Sequence, residues 1–274
     1  MAVNLATKYA EKIQQKFTAG SLVDGRLSND YSFVGAKTVV VSTISTVPVN
    51  DYARTASANR YGTPAEVEDT KQELTMSQDK SFTGIIDKGN TKDQTFNKAG
   101  KFLSVQISEV ITPMMDKYKL EKLAAGAGTT KTDVAITASN VIARMSAARK
   151  ALLDNRVPVT GRTWFVTTDI FNALVETDQF KNLSALGGKA MVNGQVGELF
   201  GAPVVEVPAD TMPENTNFLL VHKDAACTPV KIAETKVHID PPGISGNLVE
   251  GRYYYDCFVF DAKKMGVYAD KLSG

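Results

Sequence analysis

The sequence predicts an α+β protein, and three observations carry that reading. Two β-branched runs, TVVVSTISTVPV at 38–49 and KSFTGIID at 80–87, bracket about thirty polar residues. A helical stripe of apolar side chains runs from 94 to 124. Beyond a glycine-bearing joint, AAGAGTTKTD, helix and strand signals alternate from residue 134, and two long strand-like runs follow at 228–239 and 248–264.

Each element has its own justification. At the start, Leu5, Tyr9, Ile13 and Phe17 recur every four residues between charged positions, which predicts an amphipathic helix ending near Gly20. One narrow stripe on a short helix is marginal by itself. It has to lie on something, either its own domain or another subunit. The segment NDYARTASANRYGTPAEVEDTKQELTMSQD is polar, rich in turn residues and unable to build a core. Connections of this length are functional loops or disordered segments. Together with its flanking strands it fits an extended, projecting hairpin. Its acidic residues Glu66, Glu68, Asp69 and Glu73 read as a solvated face, and a loop of this size is better placed resting on a neighbour.

The long helix carries Phe96, Ala99, Leu103, Ile107, Val110, Ile111, Met114, Met115 and Tyr118 on one stripe. At ~1.5 Å per residue it reaches ~45 Å, long for an element inside a globular domain. Pro113 lies within it, so a kink or break is expected near Thr112. Next, Val141, Met145, Ala148 and Leu152 mark a helix capped by Ser139. TWFVT at 163–167 is a short buried strand, and 169–180 returns to helix with Thr168 as its cap. APVVEVP and NFLLVHK are further strands. DPPGISGN at 240–247, with two prolines and two glycines, makes a tight tip between the two long terminal strand runs. MGVYA closes the pattern as a short strand.

The residues that carry chemistry are sparse. Gly194, Gly197 and Gly201 precede a strand, whereas a dinucleotide fingerprint follows a strand and opens a helix. A phosphate-binding loop also needs a Lys-Ser/Thr pair behind its last glycine, where this chain has Ala202 and Pro203. Turn glycines feeding a buried strand are the better reading. His222, Cys227, His238 and Cys257 match no zinc spacing. No nucleophile elbow, HExxH or EF-hand loop occurs, and no carboxylate pair stands out. Cys257 reads as buried and inert, and Trp164 and Tyr253–Tyr255 as packing residues. Catalytic, cofactor-binding and metal residues are therefore expected to be none. A net charge of +1 excludes an overall polyanion binder, although a local basic face stays open. Two cysteines thirty apart fit a reducing compartment. No run approaches the ~20 apolar residues that span a bilayer, and the N-terminus has no secretory apolar region.

This order of elements resembles the major capsid protein of tailed bacteriophages, with the HK-ninety-seven-type capsid fold. The resemblance covers nearly the whole chain. Local phrases carry it too: NRYGTPAEVEDTKQELTMSQDKSFTGIIDKGN, RTWFVTTDIFNALVETDQF, GQVGELFGAPVVEVP and RYYYDCFVFDAKKMGVYA. The resemblance implies an N-arm at 1–36, an extended E-loop β-hairpin at 37–90 and a P domain whose spine helix lies in 91–127. It further implies an α/β A domain at 128–227, P-domain strands and loop at 228–264, and a C-terminal strand and tail at 265–274. It implies a structural protein, not an enzyme, that assembles through pentamers and hexamers into an icosahedral shell around double-stranded DNA. The expected inter-subunit residues are Leu5, Tyr9, Ile13 and Phe17 in the arm and Arg60, Tyr61, Glu66, Glu68, Asp69 and Glu73 in the E-loop. Asp240, Pro241, Pro242 and Gly243 would meet their copies at three-fold positions. Implied partners are further copies of the chain, a separate scaffolding protein, a portal, decoration proteins where they are used, and non-specific contact with DNA; no membrane is implied. The implied location is the virion, after assembly in the bacterial cytoplasm. No E-loop crosslink is expected, since nothing distinguishes Lys71 from Lys80. Two alternatives stay open: an encapsulin-type nanocompartment shell, and a soluble α/β enzyme using the glycine-rich region 187–201.

Overall fold

The computed structural model describes residues 20–29, 31, 37–88, 99–177, 191–192 and 195–273. The chain divides into two compact units, one of residues 33–76 and one holding the remainder.

The smaller unit is a ribbon. Strand β1 (Thr38–Ile44) pairs antiparallel with β2 (Asp69–Thr75) over seven residue pairs, from Thr38 opposite Thr75 to Ile44 opposite Asp69. The partner differs from the expected one. The run at 80–87 belongs instead to β3 (Gln78–Asp87) in the larger unit. The reason is burial. Phe82 needs an apolar surface and finds it among Ile107, Ile111, Met115 and Tyr253. DTKQELT has little to bury and forms a ribbon strand exposed along most of its length.

In the larger unit the long helix is continuous in path but not in type. Helix α1 (Ala99–Gln106) passes through a π-helical turn at Ile107–Ile111 into α2 (Thr112–Ala125). The Thr112 amide donates to the Ile107 carbonyl, five residues back. Pro113 lacks an N–H, and its ring would crowd the carbonyl four residues before it in a regular α-helix. The wider turn just ahead of it relieves that conflict. The break expected near Thr112 is thus a π-turn rather than an end.

A six-stranded sheet follows, with order β4 (Thr129–Asp133), β11 (Val267–Leu272), β8 (Thr216–His222), β5 (Arg162–Thr167), β7 (Ala202–Val207) and β6 (Glu198–Leu199). β4 is parallel to β11 and β5 to β7; the other neighbours are antiparallel. Both faces are covered, which explains the continuous apolar strands. Phe165, Leu219, Val221, Val267 and Ala269 point to one side and pack with Leu120, Leu123 and Ala124 of α2. Trp164, Val166, Phe218, Leu220 and Tyr268 point to the other. There they meet Met145, Ala148 and Leu152 of α3 (Val141–Asp154) and Ile170 and Leu174 of α4 (Thr168–Val175). The first of these helices starts one residue beyond the expected place, behind Asn140, and the second one residue before it, behind Thr167. The Ser139 hydroxyl pairs with that of Thr137 at 2.9 Å instead of capping.

A second sheet, of three strands, has β10 (Gly246–Tyr255) between β9 (Val230–Ile239) and β3, all antiparallel. Tyr253, Tyr255 and Phe82 from this sheet pack on Ile107, Ile111, Met114 and Met115. The long helix therefore supports two sheets, the three-stranded one around its π-turn and the six-stranded one near its C-terminus.

Candidate assembly surfaces

The tip between β9 and β10 is a closed turn. The Ile244 amide donates to the Pro241 carbonyl at 3.1 Å, which places Pro242 and Gly243 at the turn's centre. Proline's fixed φ suits the first central position, and Gly243 at φ 83° supplies the positive value the second requires. Asp240, itself at φ 47°, closes the base: its amide donates to the Gly246 carbonyl at 2.8 Å, and its Oδ1 accepts from the Gly246 amide at 3.1 Å. Lys88 forms an ion pair with Asp240, and its amide donates to the Ser245 carbonyl at 3.0 Å. The Lys88 ammonium, which hydrogen-bonds the Asp240 carboxyl, holds it below the usual carboxylate range. The predicted quartet Asp240, Pro241, Pro242 and Gly243 therefore forms one rigid loop. Sequence reading missed Lys88, more than 150 positions away from Asp240 in the chain.

In the ribbon unit, the loop after β1 folds on itself. Arg60 Nε donates to the Ala56 carbonyl at 2.7 Å, and the Ala53 amide donates to the Arg60 carbonyl at 3.0 Å. Tyr61, 84% exposed, sits edge-on to Tyr52 at 4.9 Å between ring centroids. Glu66 and Glu68 precede β2, while Asp69 and Glu73 lie on it. Asp69 stands opposite Ile44 and Glu73 opposite Val40, and directly opposed residues share a face. Val40 and Ile44 are exposed. The ribbon thus presents acidic and aliphatic side chains together, where the sequence shows only the charge. A two-stranded ribbon is marginal alone in water, and an exposed face of this composition suits packing on another surface.

Leu5, Tyr9, Ile13 and Phe17 lie outside the described residues. The segment that follows them is anchored. Ser21 Oγ donates to Asp116 Oδ1 at 2.8 Å and the Leu22 amide to Asp116 Oδ2 at 2.7 Å. Asp24 pairs with Lys119, whose side chain is fully buried, and Val23 and Leu27 enter the core. Burial pushes the Asp116 carboxyl above its ordinary range despite those bonds.

The histidines, the cysteines and Trp164 all lie in the larger unit. His222 is buried, its Nδ1 accepts from the Asp224 amide at 3.2 Å, and burial holds its pKa below the ordinary value. His238 is half-exposed beside Glu250 at 3.2 Å. Cys227 and Cys257 are both buried, and burial pushes the Cys257 thiol far up. Trp164 Nε1 donates to the Leu199 carbonyl at 3.0 Å. Among the described residues, no group of three or more His, Cys, Asp or Glu could hold a metal ion. Gly201 is a turn glycine: with Phe200 at φ 53° and Gly201 at 75°, β6 turns into β7 through two residues of positive φ. Gly194 lies outside the described residues.

These features define a fold of the HK-ninety-seven capsid type: a two-stranded ribbon unit, a long supporting helix, a three-stranded sheet with a rigid tip and a helix-covered mixed sheet. The chain matches a structure from Mycobacterium phage Che8 with a TM-score of 0.82 and 19% identity, over 98% of each chain. It matches the capsid structure of cyanophage P-SCSP1u with a TM-score of 0.77 and 14% identity, over 99% of this chain and 94% of that one. The asymmetric unit of the bacteriophage PhiM1 mature capsid matches with a TM-score of 0.76 and 14% identity, over 99% and 93%. No protein-family model matches the chain, and no curated protein matches it in sequence. At these identities the likeness establishes the fold.

Proposed function

We propose that this chain is the major capsid protein of a tailed bacteriophage, assembling through pentamers and hexamers into an icosahedral shell around double-stranded DNA. The observation that carries the reading is mutual coverage. The chain and two solved capsid structures match over 99% of this chain and over 94% and 93% of theirs, which supports a likeness of the whole chain rather than of one part. The surfaces agree with it, since a two-stranded ribbon with exposed Val40 and Ile44 gains from a second copy to lie on.

In this reading the ribbon and its loop form the E-loop, and Arg60, Tyr61, Glu66, Glu68, Asp69 and Glu73 contact an adjacent subunit. The Asp240–Gly243 tip meets its copies at three-fold positions, and the arm carrying Leu5, Tyr9, Ile13 and Phe17 docks on a neighbour. The chain plays a structural rather than an enzymatic part in the virion. A separate scaffolding protein, a portal and decoration proteins are its proposed partners, with assembly in the bacterial cytoplasm and non-specific contact with the packaged DNA.

Size-exclusion chromatography with light scattering, followed by negative-stain microscopy of the same fractions, tests the proposal. Rings of five or six subunits, tubes or closed shells support it. A chain that stays monomeric with its scaffold, with crowding agents and across salt concentrations refutes it.

A further inference from the structure

The ribbon unit ends at Met76, and the body resumes at Ser77. Only Met76 and Ser77 separate β2 from β3. Ser77 is held on the body side by Asp256, a side chain 179 positions further on. Asp256 Oδ2 accepts from the Ser77 amide at 2.7 Å and from its hydroxyl at 2.9 Å. Oδ1 accepts from Tyr118 Oη at 2.8 Å and from the Cys257 amide at 2.8 Å. Tyr118 lies on α2 and stands edge-on to Tyr255 at 5.7 Å, so its hydroxyl is fixed by the supporting helix and by the end of β10. Gln78 Nε2 donates to Ser77 Oγ at 3.2 Å and completes the cluster.

Asp256 is 2% exposed, and these four donors are neutral groups. Burying a carboxylate is unfavourable, and an apolar residue of similar size often serves stability as well or better. What a buried carboxylate supplies is direction, because both oxygens must be met by donors at short, aimed distances. Here the aimed donors come from the connector, the long helix and the chain just after β10. We infer that Asp256 is a positioning residue that clamps Ser77, the first residue beyond the ribbon unit, to the long helix. The consequence for assembly rests on the capsid reading. The clamp does not, and it is tested on the isolated subunit.

The test is hydrogen exchange, resolved to single amides, on the wild-type chain, Asp256→Asn and Tyr118→Phe. The Asp256→Asn side chain turns a donor toward donors, while Tyr118→Phe removes one donor and keeps the ring. Exchange of the Ser77 amide should quicken about tenfold or more in Asp256→Asn. Trypsin cleavage at Arg54, Arg60 and Lys71 should quicken with it, while the amides of β8 stay within about twofold of wild type. Tyr118→Phe should show the same pattern at smaller amplitude, and it keeps the test open if the asparagine variant does not fold. Equal Ser77 exchange in wild type and variants overturns the clamp. So does acceleration that is uniform across β8 and Ser77, which would mark a general loss of stability. In assembly reactions the clamp predicts shells of mixed size from either variant. Uniform shells from a variant with fast Ser77 exchange would refute the assembly consequence alone.

Discussion

Two glycines of one tip should respond to the same substitution in opposite ways. At Gly243, φ is 83° and a built Cβ finds no atom within 4 Å. Alanine there costs only the left-handed backbone, about 1–2 kcal/mol. At Gly246, φ is 155° and the Cβ would lie 2.1 Å from the Ile86 carbonyl oxygen and 2.9 Å from Asp87 Cα. Those atoms belong to β3, paired with β10 along its whole length, so the backbone cannot step aside without losing pairs. Backbone strain and overlap together come to about 3–5 kcal/mol. Against a domain stability of about 5–15 kcal/mol, the first variant stays folded and the second approaches its limit. Urea unfolding of Gly243→Ala and Gly246→Ala measures the difference. Assembly of Gly243→Val, which adds a branched side chain at the exposed turn, reads the proposed three-fold contact separately. The expected result is a folded subunit that does not close shells. Equal destabilisation by the two alanine variants would refute the steric reasoning, and normal shell yield from Gly243→Val would refute the role of the tip.

Three further outcomes follow from the buried polar groups. Asp270 is 0% exposed and accepts from Arg144 Nε at 3.0 Å, Arg144 Nη2 at 2.5 Å and Asn217 Nδ2 at 2.8 Å. Asp270→Ala should lower unfolding free energy by about 3–5 kcal/mol, and Arg144→Met with Asp270→Leu should restore most of it; urea titration measures both. Tyr118 and Tyr268 are pushed up to about 12, chiefly by burial. Unfolded tyrosines lose their protons near pH 10. Stability from these groups is therefore intact below about pH 10 and falls as pH rises through about 12, because the unfolded chain ionises first. Phenolate absorbance of the native protein should lag that of the denatured protein across this window. Cys227 and Cys257 should resist alkylation in the native state and react on denaturation, as mass spectrometry would show.

What was legible in the sequence had a burial pattern behind it. TWFVT and NFLLVHK stand out because strands covered on both faces have no polar alternation to obscure them. Pro113 announced a disturbance, but whether the helix ends or widens depends on packing, and the surfaces on both sides of this helix keep it going. DTKQELT was illegible as a strand because a solvated ribbon needs no apolar period. The sequence pairs TVVVSTI with KSFTGIID instead, and that run has another surface to cover. The clamp had no local signal at all. Ser77, Tyr118 and Asp256 are unremarkable singly and meet only through the fold, as do Lys88 and Asp240. The glycines at 194–201 show the converse, since their order relative to the strand already spoke against phosphate binding, and Gly201 sits in a turn.

The place of β11 in the six-stranded sheet bears on how a subunit is made. Residues 267–272 insert between β4 and β8, joining strands that were synthesised well over a hundred and some fifty residues earlier. On the ribosome, neither β4 nor the adjoining side of β8 has its partner until that segment emerges. Pairing over such separations is slow, and an open strand edge is prone to stick to other chains. The nascent protein therefore holds an incomplete sheet from the emergence of β4 until that of β11.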